Sequence, residues 1–190
     1  ASGGNYNTVV GDEAGTAITT GDFNVFIGTY AGDAGATISN NVGIGVGALG
    51  TDTNGNGSTA VGHSALNVQN FGSGTTTHNT AVGYHAGVAV TTSQFNTLIG
   101  SECGDALTTG GYNTALGYRA LSTEDGNGNC VAIGFDSLRD LNAGADSENT
   151  AVGLLSGASL STGIQNTLIG SRAGDALSDA DDNVAVGYGA

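Results

Sequence analysis

The chain has 190 residues, 35 of them Gly, with no Pro, Met or Trp, and charged residues make up only 11%. Three Arg (Arg119, Arg139, Arg172) face 17 acidic residues, giving a net charge of −14. A chain this acidic, with no basic cluster, repels phosphate backbones and anionic membrane surfaces, which excludes nucleic-acid binding; nor does any apolar stretch approach the ~20 residues of a membrane-inserted helix.

Hydrophobic residues at 38% and aromatics at 6% are thin for an ordinary core, yet low charge and the lack of Pro separate the chain from disordered segments. With no Met, it reads as processed or as a piece of something longer. Such a composition calls for internal repeats, and these account for the whole chain. A nine-residue motif runs Asn, Thr/Val, any, aliphatic, Gly, any, any, small, Gly/Leu. It starts at Asn7, Asn24, Asn41, Ser58, Asn79, Asn96, Asn113, Cys130, Asn149, Asn166 and Asn183. The step is 17 residues except for 21 after Ser58 and 19 after Cys130. Residues 1–190 are therefore a single array of eleven units, the last cut short.

Taken in chain order, positions two to four of each unit predict a short strand: 8–10, 25–27, 42–44, 59–61, 80–82, 97–99, 114–116, 131–133, 150–152, 167–169 and 184–186. Position two is always Thr or Val and position four always Val, Ile or Leu. The two share one face of a strand, and their character sends that face into a dry interior. The invariant Gly at position five marks a positive φ or a close backbone approach. A second short strand is expected near position twelve, where Ile18, Val90, Leu107, Leu160 and Leu177 sit. The rest of each unit is Gly, Thr, Asn, Asp and Ser, which is turn chemistry. No window carries a helical apolar period.

A longer cycle overlies the units. Position nine reads Gly15, Gly32, Leu49, Leu66, then Gly87, Gly104, Leu121, Leu138, then Gly157, Gly174. Phe26, Leu98 and Leu168 fall at position three of the second unit in each cycle. Both long steps close a cycle, so four units make a block of about 70–72 residues.

Seventeen residues cannot form an independent sheet but suit one rung of an all-β, parallel β-solenoid or β-roll, with rungs ~4.8 Å apart. The leading Asn would stack into an amide ladder. Each rung offers little core, and position three is also mostly apolar, so both strand faces call for burial. That points to several chains packed around a common axis. Bare end rungs expose unpaired N–H and C=O groups, so the expectation is a fragment of a longer fibre or end-to-end stacking.

Runs such as Asn79-Thr80-Ala81-Val82-Gly83-Tyr84-His85-Ala86-Gly87 and Asn113-Thr114-Ala115-Leu116-Gly117-Tyr118-Arg119-Ala120-Leu121 resemble the head repeats of trimeric autotransporter adhesins, and more closely the repeat arrays of phage tail fibres. The resemblance spans the whole chain. It implies a homotrimeric, left-handed parallel β-roll, an extracellular location on a virion or cell-surface appendage, and a structural role in a fibre. A cell-surface receptor or glycan would be its partner. The adhesin-head repeat is usually shorter, so a two-strand rung here needs longer turns.

Chemistry-bearing residues are few. Asp52, Asn54 and Asn56 carry oxygens at i, i+2 and i+4, as at the start of a calcium loop; Asp125, Asn127 and Asn129 repeat the spacing in the next block. The closing Glu of such a loop is missing, and tight turns use the same residues, so Ca²⁺ ligation and plain turns both remain open. His63, His78 and His85 show no zinc-helix spacing. Cys103 stands at an always-small position and reads as a small buried residue; Cys130 replaces the leading Asn. The two lie in rungs too far apart for a disulfide, so both read as free thiols. His85, Glu102, Arg119 and Asp136 share position seven on successive rungs, where a charge ladder or a merely solvated edge fits equally. These features give no acid–base constellation, and the chain reads as a non-enzymatic fibre segment used for attachment. The alternative is a ligand- or ice-binding solenoid surface, because seven of the eleven second positions are Thr; thermal hysteresis separates the two.

Overall fold

The computed structural model describes residues 4–72, 74–126, 128–144 and 146–190, and no helix occurs among them. The thirteen strands are β1 (Thr8–Val10), β2 (Val25–Ile27), β3 (Val42–Ile44), β4 (Gly55–Asn56), β5 (Thr59–Val61), β6 (Thr75–Thr76), β7 (Thr80–Val82), β8 (Thr97–Ile99), β9 (Thr114–Leu116), β10 (Val131–Ile133), β11 (Thr150–Val152), β12 (Thr167–Ile169) and β13 (Val184–Val186). Eleven of them form one parallel sheet in chain order, and β4 pairs separately with β6. Each sheet strand pairs with its equivalent in the next unit without slippage, as in Thr80↔Thr97, Ala81↔Leu98 and Val82↔Ile99. The fold is thus the expected β-solenoid, one rung per unit of about 17 residues.

The sides of the sheet are reversed from the sequence-based expectation. Position three faces the interior: Phe26, Ala60, Ala81, Leu98, Ala115, Ala132, Ala151 and Leu168 are completely buried. Positions two and four face outward; Ile27, Ile99, Leu116 and Ile169 are 36–46% exposed. The interior of one rung is too narrow for a β-branched residue at two places on a three-residue strand. It takes one strand side chain, the small residue of position eight, and whatever positions nine and twelve supply.

The volumes of positions three and nine are complementary. Leu98 lies against Gly87 and Gly104, Phe26 against Gly32, and Leu168 against Gly157 and Gly174. Where position three is Gly43, Ala60, Ala115 or Ala132, position nine is a buried Leu49, Leu66, Leu121 or Leu138. The four-unit cycle is therefore a packing cycle, in which a large side chain enters the core alternately from the strand and from the corner.

Tight corners close each turn. Position seven takes φ from +51° to +65° in every rung, including Glu13, His85, Arg119 and Arg172, and position nine does so from +48° to +62°. The residue before each motif is also left-handed, as at Tyr6, Phe23, Phe95 and Tyr112. Position five is Gly with φ of 130–144°, a conformation closed to other residues, and these glycines stack so closely that a Cβ on Gly100 would strike the carbonyl of Gly117.

The Asn ladder forms. Asn79 Oδ1 accepts the backbone N–H of Asn96 at 2.9 Å, and Asn79 Nδ2 donates to the carbonyl of Ser93 at 2.7 Å. The same pair of bonds ties Asn24 to Asn41 and Ile38. One side chain thus satisfies two buried backbone groups, one at the end of its own rung and one at the start of the next.

Position twelve supplies core without a strand. Ile18, Val90, Leu107 and Leu160 are buried, but Val90 N–H bonds back to Gly87 of its own rung at 3.0 Å. The local turn consumes the donor that a second ladder would need.

Candidate functional site

The candidate calcium residues serve the architecture in different ways. Asp52 occupies position twelve of the third rung and is completely buried. Its Oδ1 accepts N–H bonds from Gly55 at 2.8 Å and Asn54 at 3.3 Å; its Oδ2 accepts from Gln69 Nε2 at 2.6 Å. Burial pushes its carboxyl above the usual range, against those three hydrogen bonds, which pull it down. Asn54 Oδ1 accepts from Thr37 Oγ1 at 3.0 Å, and Asn56 Oδ1 accepts from the Ser39 N–H at 2.6 Å. Asn54 and Asn56 thus bond back to the second rung, whereas Asp52 bonds within its own rung and on to the fourth. In the second block Asp125 and Asn129 are exposed; the Asp125 carbonyl accepts from Thr108 Oγ1 at 2.6 Å. Asn127 lies outside the described residues. Among the described residues, no three or more His, Cys, Asp or Glu are grouped so as to hold a metal.

Sequence reasoning missed the polar network around Asp52. Gln69, at position twelve one rung on, bridges Asp52 to Ser58 Oγ at 3.2 Å and accepts from Asn79 Nδ2 at 2.8 Å. Ser58 also meets Thr77. This network occupies the first block boundary, where Ser58 interrupts the Asn ladder. Cys130 interrupts it at the second boundary, and its Sγ lies 2.8 Å from Ser147 Oγ. Both Asp52 and Glu124 stand at position twelve of a block's third rung and both are buried. That recurrence, an acid among aliphatic residues of one column, was the available signal.

Both cysteines are buried free thiols, as the sequence indicated. Burial pushes Cys103 up to about 12, and Cys130 is also raised, chiefly by burial. Neither is poised as a nucleophile. The position-seven residues do not form a ladder of ion pairs. Asp136 and Asp140 pair with Arg139 at 3.3 and 2.6 Å, while the Arg119 guanidinium lies 6.0 Å from the ring centre of Tyr118.

The largest regular surface is the outer face of the sheet. Column two holds seven Thr and four Val; column four holds Val, Ile and one Leu; none of the 17 acidic residues falls in either. Column six adds exposed Val46, Tyr84, Tyr118, Phe135 and Leu154. An aromatic edge runs alongside: Tyr6 stacks on Phe23 and Phe95 on Tyr112, each with ring centres 5.0 Å apart. Beside the second pair is a hollow of about 200 Å³, lined by Thr92, Gln94 and Thr109.

Fold and surface define a parallel β-solenoid whose outward strand columns two and four carry no charged residue. Comparison of the chain with family models, curated proteins and solved structures finds no match.

Proposed function

We propose that the chain is a non-enzymatic structural segment of a fibre, the shaft or head of a virion tail fibre or surface adhesin, acting outside the cell as a parallel homotrimer. The observation that carries this reading is the outer face. An eleven-rung surface of Thr and aliphatic side chains, on a chain of net charge −14, is far more apolar than a solvated face needs to be. Packing three such faces around one axis buries them and leaves the charged turns outside, with cyclic symmetry. The hollow beside Phe95 and Tyr112 offers a receptor or glycan an aromatic edge at the rim. Mass measurement in solution tests the assembly: three chains of 18.4 kDa are expected, and a stable monodisperse monomer overturns it.

One observation favours a second reading, an ice-binding surface. The position-two threonines stand on the outer face, one rung apart, as an ice-binding surface would need. Thermal hysteresis from a monomeric chain would support this reading, and its absence would remove it. The trimer buries the same face, so the two readings exclude each other.

A further inference from the structure

All three histidines of the chain fall in the fourth and fifth rungs or the turn between them. Two of them meet. The ring centres of His63 and His85 are 5.5 Å apart, and the His85 N–H donates to the His63 carbonyl at 2.9 Å. The backbones are therefore pinned to each other by the ladder itself. His85 sits at a left-handed corner, φ 57°, and its ring stacks on Tyr84 with centres 3.9 Å apart, which limits its rotamers. His63 is exposed and His85 half-buried, so both rings are open to solvent on one side.

Two imidazoles bound at ~2.1 Å to one tetrahedral ion place their ring centres about 5 Å apart. The observed separation leaves little rearrangement for a shared ion to demand. Asp105, one rung on, lies within electrostatic range of His85, and one of its carboxylate oxygens is buried with no hydrogen-bond partner. This negative surrounding favours a bound cation. Imidazole pairs select zinc, nickel and copper over calcium or magnesium, which prefer oxygen.

We propose that His63 and His85 form a surface site for a divalent transition-metal ion such as Zn²⁺, with water completing the coordination shell. It joins two adjacent rungs through side chains as the amide ladder does through Asn. The site is built from the side chains of one chain. His78, exposed before the fifth strand of the main sheet, meets only the tilted ring of Phe95, 5.7 Å away, among the described ring pairs and serves as the internal control.

Calorimetric titration of the full chain with ZnCl₂ tests the site. One ion per chain is expected, with at least tenfold weaker binding in His63→Gln and in His85→Gln and less than a twofold change in His78→Gln. Imidazole carbon resonances supply a readout on the unaltered chain: His63 and His85 should shift with Zn²⁺ and His78 should not, and CaCl₂ should move none. No saturable Zn²⁺ binding, equal weakening in all three variants, or shifts confined to one imidazole of the pair would each overturn the proposal.

Discussion

A Cβ on Gly104 would lie 2.9 Å from Cδ2 of Leu98, so the strand residue of the sixth rung occupies the space that a corner residue fills one rung later. Leu98→Ala is expected to cost ~2–5 kcal/mol, as for other buried Leu truncations. Gly104→Leu alone should also destabilise, by overpacking. Combined, the two changes reproduce the pattern of the seventh rung, Ala115 with Leu121, and the double variant should be more stable than the sum of the singles predicts. A double-mutant cycle from denaturant melts measures this; strict additivity would show that the two positions do not share one core space.

Glycines differ sharply by position. Gly100→Ala places a methyl against the Gly117 carbonyl at a φ of 144° and should lose at least ~2 kcal/mol through backbone strain alone. Gly72 is exposed, with open space around its Cβ direction. Gly72→Ala should be neutral or gain a few tenths of a kcal/mol by restricting the unfolded chain. Paired thermal melts of the two variants check this contrast.

Ile99 is 36% exposed on the outer face. Ile99→Asp should therefore leave the solenoid folded, with unchanged circular dichroism, while the assembly mass falls to that of one chain. Loss of structure in the variant, or retention of the assembly, would contradict the outward placement or the use of this face.

The Asp52 carboxyl is raised by burial, so the folded state holds its proton to higher pH than the unfolded chain does. The sign follows from linkage: this group's stabilising contribution is full below the ordinary carboxylate range and is lost as pH rises through the raised value. Melting temperature should fall over that window, and the fall should be shallower in Asp52→Asn. Parallel slopes would mean that other carboxylates set the dependence.

The rung, its register, the Gly of position five and the Asn ladder were legible in the sequence, because each demands one residue type at one spacing. The side of the sheet that faces inward was not. Alternation says that Thr97 and Ile99 share a face opposite Leu98 but not which face is inside, and β-branched residues suit either. The deciding signal was compensation: position three varies in step with position nine, Leu98 with Gly104 and Ala115 with Leu121, while Ile99 tracks no other column. Position twelve was read correctly as apolar but wrongly as a strand, since a side chain's burial does not reveal where its N–H bonds. The Asp52 oxygens were recognisable as a set of acceptors. The Gly55 and Asn54 donors are local, but the Gln69 donor lies one rung on, beyond the reach of local spacing.

The interruptions of the amide ladder have a mechanical consequence. Asn7, Asn24 and Asn41 staple the first four rungs, Asn79, Asn96 and Asn113 the next four, and Asn149, Asn166 and Asn183 the last three. Neighbouring rungs are linked in series, so axial tension is borne equally by every junction and rupture begins at the weakest. At the first gap, Asn79 Nδ2 donates across the joint to Gln69 Oε1. At the second, Ser137 Oγ reaches across the joint to the carbonyls of Ala151 and Ser156. Pulled from its ends, the rod should open first at these two gaps, where Ser58 and Cys130 stand in place of the leading Asn.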